Sequence, residues 1–215
     1  MKRSVCFRYG FSLLLLLTGI CAYAQNETDF GTWSSIQATK NISECYAFFR
    51  GEHRSCRNVS ATEAWFVAAG GGYKFAPWLN ADLSYEFWKL PSSGNQSVHK
   101  GVLAVTGTLR RENLAVMLRE KYELAFNASS KALSHTFRTR LRGQYSFNQA
   151  PLTPYLMYEF FAGAGGWERS LHYLGTEIKV APHHIIDVFY MYHLYGSSPD
   201  VKSRHLLGLG YYLTF

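Results

Sequence analysis

The chain ends on an aromatic in the middle of an alternating pattern. From His205 to Phe215 the odd positions read His, Leu, Leu, Tyr, Leu and Phe, whereas 208, 210 and 214 are Gly, Gly and Thr. A period of two puts the large side chains on one face of a strand and the small ones on the other. An apolar face of this kind has to be covered, either by a second protein layer or by acyl chains.

The other end of the sequence favours acyl chains. Lys2, Arg3 and Arg8 form a positive region, Phe11 to Cys21 an apolar run with five leucines at Leu13–Leu17, and Ala22-Tyr23-Ala24 a small-x-small cleavage site. The run is well short of the about twenty residues a spanning helix needs, so residues 1–24 are expected to be a secretory signal peptide. Lipidation at Cys21 is the alternative, but Ile20 stands where a lipoprotein has Gly, Ala or Ser. Cleavage would lower the net charge from +7 to +4 and leave Cys45 and Cys56 as the remaining cysteines. That charge is too mild to suggest nucleic acid. After residue 24 no apolar segment approaches helical spanning length, and a mean hydropathy of −0.13 with 16% aromatics suits strands whose every second residue faces a polar interior.

Eleven such segments can be read, near 30–39, 45–54, 62–75, 78–89, 98–110, 114–127, 133–147, 152–162, 169–181, 184–195 and 203–215. Leu79, Ala81, Leu83, Tyr85 and Phe87 interleave with Asn80, Asp82, Ser84 and Glu86; Phe137, Leu141 and Tyr145 oppose Arg138, Arg140, Arg142 and Gln144. Short connections such as Ala76-Pro77 and 111–113 alternate with longer polar ones at 55–61, 91–97, 128–132, 163–168 and 196–202. Short periplasmic turns and longer outer loops are the pattern of an outer-membrane barrel. The expected fold is an all-β, transmembrane, antiparallel up-and-down barrel occupying residues 25–215. Both ends of such a barrel lie in the periplasm, so an even count is expected: twelve strands with one missed near the N-terminus, or ten if the first segment does not face lipid.

Gly208, Tyr211, Leu213 and Phe215 resemble the C-terminal signal read by the outer-membrane barrel assembly machinery. Together with Phe30-Gly31-Thr32-Trp33, Gly72-Tyr73-Lys74-Phe75, Trp78-Leu79 and Pro154-Tyr155-Leu156-Met157-Tyr158-Glu159-Phe160, they make the chain resemble a domain-of-unknown-function family of bacterial outer-membrane barrels. The resemblance covers essentially all of the mature chain. It implies location and fold, and no catalytic residues come with it.

The conspicuous polar set is inward. Arg138, Arg140 and Arg142 would line one strand, Arg119 and Lys121 the preceding one, with Asp82, Glu86, Glu123, Glu159, Glu177 and Asp187 opposite in charge. Such a lumen could attract anions, or its charges could pair into a plug, because an unpaired buried charge is costly. His53 and Ser55 have the two-residue spacing of outer-membrane lipid hydrolases, which puts an imidazole beside a hydroxyl on one face; Ser203 and His205 repeat it in reverse. Cys45 and Cys56 lie about 36 Å apart if 45–54 is one strand, beyond disulfide reach, so free thiols are expected. His183-His184 cannot chelate together while extended. No metal site or cofactor is expected. Trp78, Trp88, Trp167, Tyr195, Tyr211 and Phe215 fit interfacial girdles.

The sequence therefore reads as an outer-membrane barrel of a Gram-negative bacterium, with membrane lipid and the assembly machinery as partners and no nucleic acid. Its expected role is a non-enzymatic structural barrel or narrow conduit for small solutes. The alternatives are a lipid-active hydrolase using His53 and Ser55, and an adhesin or receptor acting through its outer loops.

Overall fold

The computed structural model describes residues 29–197 and 200–215; the signal peptide expected at 1–24 lies outside them. Every strand read from the sequence is present: β1 (Asp29–Ile42), β2 (Cys45–Cys56), β3 (Ala61–Ala76), β4 (Leu79–Leu90), β5 (Gln96–Arg111), β6 (Leu114–Asn127), β7 (Leu133–Tyr145), β8 (Leu152–Gly163), β9 (Gly166–Ala181), β10 (His184–Ser197) and β11 (Asp200–Thr214). Each pairs with its chain neighbours, and β1 pairs with β11, so the sheet closes into a barrel. Closure leaves no sheet edge.

The closing pair corrects the expected count. Among the described residues there are eleven strands, neither twelve nor ten, because β1 runs parallel to β11, from Asp29 opposite Arg204 to Thr39 opposite Thr214. An even count follows only if the first and last strands are antiparallel. A parallel ladder satisfies the same backbone groups, so β1 can start at the end of the barrel where β11 starts. Phe215 extends the seam by donating its N–H to Thr39 and accepting from Asn41 at 2.9 and 3.0 Å.

The expected contrast between short and long connections is weaker than the sequence suggested. The polar stretches at 55–61 and 163–168 are partly absorbed into strands, leaving 57–60 and 164–165 as turns, whereas 146–151 is the longest connection at the opposite end. Polar residues near a hairpin tip can pair as strand once the strand overhangs the apolar band, so polarity overstated loop length.

The two faces of the wall meet different solvents. Outward positions carry Ile36, Leu83, Leu103, Phe137, Leu156, Leu174 and Leu209, each at least half exposed or nearly so. A wall this apolar all the way round suits acyl chains and not water. The polar atoms on it are tied to one another: Tyr85 bonds His99 at 2.6 Å, Tyr122 bonds His135, and Tyr190 bonds His205, each across adjacent strands. His172 packs its ring between Tyr158 and Tyr192. Two expected girdle residues, Trp88 and Tyr195, lie inside the barrel instead. Trp88 stacks on Phe66 with ring centroids 4.1 Å apart, and Tyr195 lines an interior cavity.

Candidate functional site: the charged lumen

Inward side chains follow the period of each strand. On β4 they are Asp82, Ser84, Glu86 and Trp88; on β6 Arg119, Lys121 and Glu123; on β7 Arg138, Arg140 and Arg142; on β8 Tyr155, Glu159 and Phe161. All nine expected lumen residues, Arg119, Lys121, Glu123, Arg138, Arg140, Arg142, Glu159, Glu177 and Asp187, therefore share the interior.

Most of their charge is paired. Glu159 is fully buried and receives Arg138 Nε at 2.7 Å and Arg140 from the neighbouring strand. Glu123 binds Lys100 at 3.2 Å and Arg138 at 3.4 Å. Arg119 grips both oxygens of Asp82 at 2.9 and 2.8 Å, spanning from β6 to β4 over the intervening β5. Arg142 reaches Glu177 at 2.7 Å, and Arg50 reaches Glu86 at 3.1 Å. Asp187 forms no ion pair among the described residues; Tyr155 donates its hydroxyl to both carboxylate oxygens at 3.0 and 3.1 Å. In low dielectric each of these acids would be expensive without its donor.

Two cavities with no lining residue in common occupy the interior. The first, about 360 Å³, runs toward the turns that hold Pro77 and His183 and is walled by Arg50, Asp82, Arg119, Lys121, Arg140 and Glu177 among others. The second, about 370 Å³, lies at the opposite end among Asp29, Glu63, Arg169, His193 and Arg204. The inward residues skipped between the two sets form a septum. On β9, β10 and β11 they are Leu171, Met191 and Leu206, at 1%, 0% and 0% exposure, packed with Trp33 and Phe161. Arg54 flattens against this layer, 3.7 Å from the Trp33 ring and 4.7 Å from Trp88, with its charge met by Glu52 at 2.6 Å.

Sequence reasoning missed several of these residues. Arg50, Arg54 and Glu52 sit on β2 among aromatics, and their inward direction was recoverable from the alternation of Tyr46, Phe48, Arg50, Glu52 and Arg54. The Glu63 pair was not recoverable. A bulge lets Arg54 oppose Ala64 and Ser55 oppose Thr62, which turns Glu63 inward to meet Arg204 at 2.7 Å. Glu120 points the other way, into the lipid-facing wall, where its carboxylate accepts from Thr139 at 2.8 Å.

The speculative hydrolytic pair does not assemble. His53 Nε2 contacts Thr62 Oγ1 at 3.1 Å on the exposed face. Ser55 is buried, and its Oγ lies 2.8 Å from both the backbone N and the Oγ1 of Thr32. Its hydroxyl thus serves the β1–β2 seam. Cys45 and Cys56 are free, at opposite ends of β2. His183 and His184 part as the strand geometry requires, one to the Thr214 carbonyl and one to the Tyr211 hydroxyl. In the closing strand Gly208 lies under the Phe189 ring, while Tyr211, Leu213 and Phe215 belong to the outward face.

Solved barrels share this shape. The NanC porin is similar at 10% identity, with 86% of this chain and 99% of that chain covered and a TM-score of 0.53. The KdgM porin matches at 14% identity over 82% and 88% of the two chains, TM-score 0.50. The β domain of the Bordetella autotransporter BrkA matches at 11% identity over 81% and 86%, TM-score 0.53. At these identities the likeness is one of fold. No curated protein matches the chain significantly. Residues 30–203 match the model of a family described as a protein of unknown function, DUF2490, and the chain belongs to that family.

Proposed function

We propose that this protein is a non-enzymatic barrel of the outer membrane of a Gram-negative bacterium and serves as a narrow conduit for small solutes. The observation that carries this reading is a closed wall, apolar outside and lined by charge within, with interior space on either side of the septum around Leu171, Met191 and Leu206. Two of the structural neighbours are porins, which supports the same reading. Membrane lipid is the partner of the outer wall. The barrel assembly machinery is the partner of Gly208, Tyr211, Leu213 and Phe215, because those residues form the strand that completes the barrel. The separate engagements of His53 and Ser55 speak against hydrolysis.

Purified protein in a planar bilayer tests the proposal. The expected result is a small unitary conductance with a mild preference for anions, since cations outnumber acids on the cavity wall. Strong cation selectivity, or no current at any voltage, would overturn it.

A further inference from the structure

Donors and acceptors are not balanced in the first cavity. Seven cationic side chains line it against five acids, and the acids are already engaged. Asp82 is taken by Arg119, Glu86 by Arg50 and the Trp88 indole, Glu52 by Arg54, Glu177 by Arg142 and Asp187 by Tyr155. Lys121 is left over. It is 6% exposed, lines the cavity, and among the described residues forms no hydrogen bond or ion pair. Its strand neighbours across the ladder are Ala104 and Arg138. Glu123 and Glu159, the nearest acids on its own and the next-but-one strand, spend their oxygens on Lys100, Arg138 and Arg140.

A second observation points the same way. The Nε atoms of Arg50, Arg119 and Arg142 and the Nε1 of Trp33 are buried donors with no acceptor among the described residues, and all four residues line this cavity. Buried donors are normally satisfied, and an exception calls for an explanation. The five residues that carry these unspent donors, four of them cationic, all line one space of about 360 Å³, near the lower end of the range in which proteins hold small ligands.

We propose that this cavity is a binding site for a small multivalent oxyanion, with Lys121 as the group that ligates it and Arg50, Arg119 and Arg142 offering their remaining N–H donors. Guanidinium forks and an ammonium point charge are the groups that recognise carboxylate and phosphate oxygens. A multivalent anion is favoured over chloride because the donors come from different strands and a single-atom ion cannot meet them all. A cation is excluded by the same arithmetic, since no lining carboxylate lacks a donor. The inference deepens the conduit reading, and rests on it only for the route by which a solute arrives.

Calorimetric titration of the full barrel in detergent with inorganic pyrophosphate, and separately with citrate, tests the site. Binding of one equivalent by at least one probe is expected, with tetraethylammonium giving none. Lys121→Met should weaken that binding about tenfold, the loss of one charge-assisted contact. Lys100→Met, which removes a cation that already pairs with Glu123, should change it less than twofold. Folding of each variant is checked by its heat-modifiable mobility in electrophoresis. If Lys121→Met does not fold, Lys121→Gln, which keeps the length and a neutral donor, takes its place. Absence of binding by folded wild-type protein, or equal affinity in the Lys121 and Lys100 variants, overturns the proposal. Conductance is a separate measurement in a bilayer, so a barrel that binds the anion without conducting, or conducts without binding, tells the two readings apart.

Discussion

The two halves of the barrel interior are filled by different physics. From β4 to β8 the lumen is held by charge: Arg119 with Asp82, Lys100 and Arg138 with Glu123, and Arg138 and Arg140 with Glu159. From β9 through the parallel seam to β3 shape has the larger share, beside the Arg204–Glu63 and Arg54–Glu52 pairs. There inward glycines lie beneath aromatic rings from the adjacent strand: Gly70 under Phe48, Gly72 under Tyr46, Gly175 under Tyr155, Gly208 under Phe189. Long flexible cations tolerate small displacements of their partners. A ring laid flat on backbone does not, because a shift of one residue replaces the glycine with a side chain. The seam is where β1 meets a strand more than 170 positions away in the chain, and no local turn sets its register. Across it Gly31 faces Leu206, whose Cδ2 would lie 3.0 Å from a Cβ at that position, so size complementarity acts where no hairpin does.

The sharpest way to break this comparison is a side chain at Gly208. A Cβ at that position would collide with the Phe189 ring, and β11 has a paired strand on both sides, so neither can move away cheaply. Gly208→Val is expected to abolish the folded barrel, seen as loss of heat-modifiable mobility after refolding into micelles. Gly101→Val on β5, where nothing lies within 4 Å of a new Cβ, is expected to fold normally. Equal yields from the two variants would remove the case for a shape-held sector.

On the charged side the largest effect belongs to Glu159. Its carboxylate is the common acceptor of Arg138 and Arg140 and has no exposed surface. Glu159→Gln leaves two half-buried guanidiniums short of a fully buried counter-charge, and a loss of about 3–5 kcal/mol is expected in urea unfolding from lipid vesicles. Glu177→Gln is the contrast: its carboxylate is 24% exposed and has one arginine, so about 1 kcal/mol or less is expected. A ranking in the other order would mean that burial does not govern these pairs.

The septum joins the two halves, and its removal is a test of conduction more than of stability. Replacing both Met191 and Leu206 by Ala deletes the most enclosed side chains of the layer between the cavities. Unitary conductance is expected to rise severalfold. An unchanged conductance would place the permeation barrier elsewhere, with the turns or with Arg54.

What could be read from the sequence follows the same division. Period two set every strand and correctly sent Arg138, Arg140 and Arg142 to one side and Phe137 and Leu141 to the other, because alternation is a local property. The charged sector was visible as a set of inward residues. Its partners were not, since Arg119 reaches Asp82 37 positions away and Arg204 reaches Glu63 at a separation of 141 through a bulge. The seam was illegible for a related reason. Parallel closure leaves no turn residues to announce it, and the parity rule assumed an antiparallel closing pair. Trp88 was misplaced because an aromatic near a strand end looks the same in sequence whether it faces headgroups or stacks on Phe66.

The smallest effect concerns Ser55, where a role in holding the β1–β2 seam and a catalytic role make opposite predictions. Its hydroxyl bridges to Thr32 on the neighbouring strand, one bond to the backbone N–H and one to the side-chain oxygen. A seam role predicts that Ser55→Ala costs about 1 kcal/mol of stability, the net worth of a neutral hydrogen bond. It also predicts that Ser55→Ala and His53→Ala leave acyl release from phospholipid vesicles at the wild-type background. A catalytic role predicts little change in unfolding and a collapse of acyl release in both variants. His53 gives the cleaner reading of the two, since it is exposed, bonded only to Thr62 among the hydrogen bonds found, and outside the seam. If His53→Ala alone abolished ester cleavage by the folded barrel, the assignment of Ser55 to the seam would have to be given up.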